Sequence, residues 1–589
     1  MRLKDIFAAD VTRDIPPVVY FHEIDPENLR DEVAEYIITG GYPESDPRRK
    51  RIESGIHEQF VRLLTGIEAE LSRPHGVELP ASWISGFYGS GKSSFAKLLG
   101  LALDGLILPD GTPLADALIA RDDSPQAPEF RAAWTALTDR IDSMAVVFDI
   151  GAVARDGEHV HSAVKRMLQV RLGYCPVSHH VADYELKLEL DGQWDAFLQR
   201  AEEVLGHSWE VARDRQLAED DFSHVLHELN PDRYTDPLSW ADSQGGTRSG
   251  IGTSVAETAR SIADMLDRRA PGKTLFIVVD EVSQYIHQNE NRMLKLQSLV
   301  SELGRRLKGR VWLLTTGQQK LEDEDDKTVL GKLKDRYPPR LRVHLSPTNI
   351  RDVVHKRLLK KAPDREPALR DLFNQHRSDL KLHGYACEAI TDADFVEVYP
   401  LLPGHVDLLM RITSAMRLRS SRVKGDDYAI RGLLQLLGEI FREQALGDKP
   451  LGELVTLDRI YDVQRTALDT DVQNTMSRIL VHDEVTGDPR AARVAKTVAL
   501  LELIQDQTPT TSALISQCLY HRLGAGNGEP DIQNTLNRLR DLGLLSYSEK
   551  QGYKIQSSAG QEWQRERDAR AVTGAEVVQV VAEKLKDLV

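Results

Sequence analysis

ASWISGFYGSGKSS, residues 81–94, sets three glycines and a lysine directly behind a short apolar run. Gly86, Gly91, Lys92 and Ser93 satisfy G-x-x-x-x-G-K-[ST], the spacing of a phosphate-binding loop. A chain of this composition is expected to show that spacing by accident about 0.02 times, so chance is a poor account of it. The apolar run ELPASWISGF suits a buried strand, and SSFAKLLGLALDG puts Phe95, Leu98, Leu99, Leu101 and Leu103 close to one helical stripe. Strand, glycine loop and helix is the context in which backbone N–H groups and a helix N-terminus converge on phosphate oxygens. Gly86, Gly89, Ser90, Gly91, Lys92, Ser93 and Ser94 are therefore expected to cradle a nucleotide. Lys92 is expected to reach the β- and γ-phosphates, and the Ser93 hydroxyl to hold Mg2+.

A phosphate loop serves kinases, GTPases and ATPases alike, so the second acidic site decides between them. KTLFIVVDEVSQYI supplies it: Leu275–Val279 read as a central parallel strand, with Asp280 and Glu281 at its carboxyl end. Asp280 is expected to bind Mg2+ through water, and Glu281 to orient and polarise an attacking water. About 30 residues on, RVWLLTTGQQ reads as another buried strand ending in Thr315, Thr316 and Gln318. Thr316 is the first choice for a group that senses the γ-phosphate and Gln318 the second, because sequence alone does not fix the register there. SMAVVFDIG at 143–151 and LRVHLSP at 341–347 complete five strands with helices between them, an open α/β sheet covered on both faces.

This order resembles the AAA+ and related additional-strand ATPases. In that group a polar sensor strand lies between the phosphate-loop strand and the acidic strand, and an arginine from a neighbouring subunit completes the site. The resemblance implies a homo-oligomer. KLKDRYPPRLRVHL is similar to the arginine-finger region before the last core strand, which makes Arg336 the first candidate finger and Arg340 the second.

The 589 residues predict several domains. A mainly helical segment at 1–75 precedes the ATPase-like core at 76–350, which carries a helical insertion at 151–270 because about 120 residues exceed any ordinary connection. NIRDVVHKRLLKK opens a helical region, 351–450, that resembles an AAA+ lid. In it YPLLPGHVDLLMRITSAMR runs Val406, Leu409, Met410 and Ile412 along a helix, and offers only His405 and Arg411 as polar groups for a second sensor. A helical connector at 451–494 leads to three helices and the alternating hairpin LLSYSEKQGYKIQS, a winged-helix pattern over 495–560. Its third helix, DIQNTLNRLRDL, mixes Arg538 and Arg540 with Asp531 and Asp541, so DNA contact and protein packing both stand as roles, with Lys550 and Lys554 on the wing. The amphipathic helix of 561–589 ends without a cap or tail, as in a truncated chain.

Composition narrows the classes further. A net charge of −16 argues against coating nucleic acid over the whole surface, although RRLKGR at 305–310 and RLRSSRVK at 417–424 are local basic clusters. No apolar run reaches the ~20 residues of a membrane span, and the N-terminus lacks a signal-peptide pattern, so a cytoplasmic protein is expected. Cys175, Cys387 and Cys518 form no C-x-x-C pair and read as reduced core thiols. His159, His161, His179 and His180 lack the spacing of a metal site.

The wording MRLKDIF, EVAEYIITGG, WISGFYGSGKSSFAKLLG, LFIVVDEVSQYI, LLTTGQQK and GKLKDRYPPRLRVHL resembles the N-terminal ATPase half of the BrxC/PglY proteins. These are the large P-loop proteins of BREX bacteriophage-exclusion systems. The resemblance covers the N-terminal segment and the ATPase core well and the winged-helix part more loosely. It implies ATP as the nucleotide and a bacterial cytoplasmic protein that blocks phage replication with a DNA methyltransferase, a phosphatase-like protein and other BREX partners. This chain is much shorter than the family's members, which carry a long C-terminal half, so functions housed there are not implied.

Overall fold

The computed structural model describes residues 1–13, 21, 23–46, 48–49, 52, 54–86, 90–245, 254–287, 289–325, 328–346, 349–419, 433–556 and 574–586. The chain divides into two units, Val18–Asn349 and a second made of Met1–Pro17 with Ile350–Val589. The segment expected as one N-terminal piece over 1–75 is thus shared between them. Among the described residues no helix is long and apolar enough to cross a membrane.

The first unit is built on five parallel strands, β1 (Ala81–Gly86), β2 (Asp142–Asp149), β3 (Lys273–Asp280), β4 (Val311–Gly317) and β5 (Arg342–Leu345), in the order β2-β3-β4-β1-β5. Strand β4 pairs with β1 on one side and β3 on the other, so the polar strand end lies between the glycine-loop strand and the acidic strand. Both faces of the sheet are buried, which is why the strands read as continuous apolar runs rather than alternating ones.

Period-two geometry sends alternate residues to opposite faces. Ile84, Phe276, Val278, Trp312, Leu314 and Val343 pack beneath the helices Ile56–Leu71 and Lys92–Leu103. Gly100 lets the second of these lie close on the sheet, since a Cβ there would stand 2.8 Å from both Val147 and Val278. Trp83, Met144, Val146, Leu275, Ile277 and Leu313 face the other way, into a core shared with the helices between β2 and β3. The described residues between β2 and β3 are mainly helical, including Val160–Arg171, His179–Leu190, Trp194–Leu205, Ala218–Leu229 and Val255–Arg269. The TGG stretch has a steric reason. Gly40 and Gly41 both take positive φ, and a Cβ on Gly41 would stand 2.0 Å from Ser124 Oγ. The turn thereby closes over the buried pair of His57 and Asp122, joined at 2.6 Å.

In the second unit Ile350–Val354 runs into a π-helical turn, His355–Leu359, and Pro403–Arg419 forms the long helix that buries Val406, Leu409 and Ile412. Three helices, Pro489–Leu501, Ser512–Cys518 and Glu529–Asp541, precede an antiparallel hairpin of β6 (Leu545–Ser548) and β7 (Gly552–Ile555). Gly552 is required at the hairpin turn, with φ near +80° and the Thr510 carbonyl 2.2 Å from where a Cβ would be. All three cysteines are buried and free.

Candidate functional site

Functional groups of parallel α/β sheets gather where the carboxyl ends of the strands open into loops. At that edge β1 ends in Gly86, and the chain returns so closely that a Cβ on Gly86 would stand 2.3 Å from Ser90 Oγ. Gly91 then caps the helix Lys92–Leu103 with φ of 84°, a conformation L side chains rarely adopt, and nothing lies within 4 Å of the space a Cβ would take. Among the described residues no side chain caps the helix, which leaves its first N–H groups without a side-chain acceptor, the condition in which a helix N-terminus receives anions. Ser90 Oγ is buried with no hydrogen-bond partner among the described residues. Ser93 and Ser94 are half-buried on the first turn. Gly89 lies outside the described residues.

Lys92 is buried, its side chain 6% exposed, and its Nζ stands 3.7 Å from Glu281 Oε1. Two motifs about 190 residues apart meet here because β3 and β1 flank β4. Asp280 is the last residue of β3 and buried. Glu281 follows in the left-handed region, φ 58° and ψ 23°, which costs a non-glycine residue about 1–2 kcal/mol and turns the carboxylate off the strand direction.

Thr316 on β4 ties the two acids together. Its hydroxyl donates to Asp280 Oδ1 and accepts the Glu281 backbone N–H at 3.0 Å. The neighbouring Thr315 points to the opposite face, where its hydroxyl donates to the Ser82 carbonyl at 3.2 Å and shares a second hydrogen bond, 3.1 Å long, with the Tyr337 hydroxyl. Gln318 is exposed, and its backbone N–H donates to Ser283 Oγ at 3.2 Å, fastening the end of β4 to the helix Val282–Ile286.

Two contributors escaped the sequence reading. Asp149 ends β2 in register with Asp280, so a third carboxylate stands on the same edge, where it accepts the Gly151 N–H at 2.7 Å. The sequence signal was the FDIG ending of an apolar run, which has no meaning until β2 is paired with β3. Gly317 is the other: a Cβ would stand 2.2 Å from the Trp83 indole, whose Nε1 donates to the Gln319 carbonyl at 3.0 Å.

Arg340 is ion-paired with Glu70 on the helix Ile56–Leu71 and lines a cavity of about 480 Å³ with Arg49, His57 and Arg62. Arg336 ends the 3-10 helix Gly331–Arg336, with its Nε buried and lacking a partner among the described residues. In the second unit burial pushes the His405 imidazole down to about 4, so it is uncharged at neutral pH, and its ring lies parallel to Tyr385 at 5.8 Å. Arg411 donates to Thr508 Oγ1 and Tyr385 Oη at 3.0 and 3.1 Å.

The basic cluster 305–310 is largely neutralised, Arg305 and Arg306 by Glu302 and Arg310 by Asp267. Residues 420–424 of the other cluster lie outside the described residues. No protein-family model matches this chain.

Proposed function

We propose that this chain binds ATP with Mg2+ and hydrolyses it to ADP and phosphate, as an AAA+-like ATPase of a bacterial BREX antiphage system, coupling nucleotide state to assembly or movement on DNA or partner proteins. The observation that carries the reading is the meeting of Lys92 with Glu281 at 3.7 Å, beside an Asp280 bonded to Thr316 of the intervening strand. The strand order β2-β3-β4-β1-β5 supports the AAA+ comparison. The BREX assignment and its methyltransferase and phosphatase-like partners rest on the wording of the sequence alone.

The glycine loop and the open N-terminus of the helix Lys92–Leu103 suit a phosphate chain: Gly91 leaves room for it, and Ser90 Oγ is a buried polar group without a partner among the described residues. Ser93 and Asp280 are the residues that would hold Mg2+. The ion, when bound, offsets charge on the β- and γ-phosphate oxygens. Lys92 exchanges the Glu281 carboxylate for phosphate oxygens, and Glu281, released, takes the proton of the attacking water. Thr316 keeps both acids in position as this happens. Arg336, with Arg340 as second choice, reaches the site of a neighbouring copy and offsets charge building on the transferred phosphoryl group.

A second reading is a nucleotide-gated scaffold that assembles a defence complex without moving along DNA. One observation favours it. The helix Glu529–Asp541, which would read DNA if the three helices and hairpin act as a winged helix, has its cations paired: Arg538 with Asp488 and Arg540 with Asp541, while Arg490 pairs with Asp531. Lys550 and Lys554 of the hairpin are then left for phosphate.

ATP turnover by the full chain, with and without duplex DNA and across protein concentration, tests both. A DNA-responsive motor gives turnover that rises with DNA and concentration and vanishes in Lys92→Ala and Glu281→Gln. Nucleotide-dependent assembly without DNA stimulation selects the scaffold. Absence of nucleotide binding by the wild type overturns both.

A further inference from the structure

Far along the chain from the glycine loop, the second unit gathers Asp352, His355 and Glu397 so that one ligand atom from each lies within 4.8 Å of the others. Among the described residues this is the only group of His, Cys, Asp and Glu side chains with that convergence. Asp352 is buried on Ile350–Val354, His355 opens the π-helical turn that follows, and Glu397 projects from the helix Asp392–Val398. We propose that these three side chains form a binding site for a borderline divalent cation of the Zn2+ type.

The distances favour a shared ion over a direct bond. His355 Nδ1 and Glu397 Oε1 are 3.9 Å apart, beyond the roughly 3.2 Å limit of a hydrogen bond. Two ligand atoms at about 2.0–2.2 Å from one ion stand about 3.4 Å apart in tetrahedral geometry and about 4.2 Å apart when opposed, so closing the cluster takes side-chain shifts of about an ångström or less. Glu397 is already turned for this. Its Oε2 is ion-paired with Arg351 Nη2 at 2.7 Å, the same nitrogen donates to Asp394 Oδ1 at 2.7 Å, and Oε1 is the oxygen facing His355. A carboxylate steered by an outer partner in this manner is the arrangement that orients metal ligands.

The donor set selects the ion. Two carboxylates with one imidazole suit Zn2+ and its neighbours, whereas Mg2+ prefers oxygen alone and keeps its waters. With three protein donors, water completes the coordination. The surrounding cations work against the ion: Arg351, Lys356, Lys360 and Lys361 all act on His355. Lys361 Nζ is turned away, donating to the Tyr399 and Glu397 carbonyls at 2.8 and 3.3 Å. Affinity is therefore expected to be moderate rather than extreme. Occupancy would clamp Ile350–Val354 and the turn after it to Asp392–Val398, fixing the start of the helical region that includes the His405 helix. The site does not depend on the nucleotide reading.

Co2+ uptake by the full chain, quantified by equilibrium dialysis and by the visible d–d bands of low-coordinate Co2+, is the test. The wild type is expected to take up Co2+ that Zn2+ displaces, and Asp352→Asn and His355→Gln each to weaken uptake at least about 10-fold. Unchanged uptake in both variants, or none by the wild type at high micromolar Co2+, overturns the proposal. So does uptake lost in Asp280→Asn and kept in His355→Gln, which would assign the ion to the first unit. Should the variants fail to fold, Zn2+ protection of His355 from diethylpyrocarbonate, read by mass spectrometry on the wild type, decides instead: protection supports the site and equal modification overturns it.

Discussion

Thr316 and Asp280 are joined across neighbouring strands, the threonine hydroxyl donating to the carboxylate while it accepts the Glu281 N–H at 3.0 Å. One small side chain therefore sets the position of both acids. Thr316→Val keeps the shape and removes both bonds, leaving a buried carboxylate and an N–H short of a partner. The expected cost is about 1–3 kcal/mol in urea denaturation, with single-turnover ATP cleavage slowed, while Thr316→Ser retains both functions. Thr315→Val is the contrast, losing stability without a specific effect on the chemical step.

Glu281 combines a strained backbone with a side chain on Lys92. Glycine relieves the left-handed conformation by up to about 1 kcal/mol but leaves the buried Lys92 ammonium without this carboxylate, so Glu281→Gly is expected to gain no net stability and to lose turnover by about 10²–10⁴-fold. Denaturation and ATP cleavage measured on the same preparation check the pair of outcomes. A fully active variant would remove Glu281 from the proposed chemistry.

Gly317 is there because the Trp83 indole occupies the space of its missing side chain. Gly317→Ala is expected to cost about 1–3 kcal/mol by overpacking. The same substitution in a Trp83→Leu background should cost less, and a double-mutant cycle of unfolding free energies measures the difference. An equal cost in both backgrounds would mean that the indole is not the obstacle.

His405 gives the second unit a pH dependence of known sign. Its ordinary value is 6.5 and burial lowers it to about 4 in the folded chain. Between those limits the unfolded chain binds a proton that the folded chain refuses, so stability present above pH 6.5 is lost as pH falls toward 4, by about 3 kcal/mol at most. His405→Phe is expected to flatten that part of the stability–pH curve relative to the wild type. Parallel curves for the two chains would show that His405 contributes no such linkage.

The glycine loop and the Asp280–Glu281 pair were legible in the sequence because each couples a fixed spacing to an apolar strand. The ranking of Thr316 ahead of Gln318 was not fixed there, since it depends on where β4 ends and which face each residue takes, a matter of register. Asp149 was invisible for the same reason: a lone aspartate ending a strand acquires meaning only from the strand beside it. Gly317 and Gly41 belong to no motif, and both answer to steric contacts with side chains distant in sequence. The Asp352–His355–Glu397 cluster depends on a turn wider than an α-helix and on a helix some 40 residues later, so no local motif announces it. Of the two polar candidates for a second sensor, His405 and Arg411, His405 is left uncharged at neutral pH by its burial.

The helices between β2 and β3 have a consequence for how this chain can be altered. Their aromatic residues, among them Phe197, Trp209, Phe222 and Trp240, belong to the same core as Trp83, Leu275 and Leu313 of the sheet. What reads in the sequence as a passenger inserted into an ATPase-like core is, physically, the wall of one side of it. Excising 151–270 would strip much of the cover from one sheet face, leaving chiefly the helix Glu290–Leu307 on it, so this region can be trimmed or grafted only at its exposed turns, and any signal that loosened it would be felt directly by the strands that carry Asp280 and Thr316.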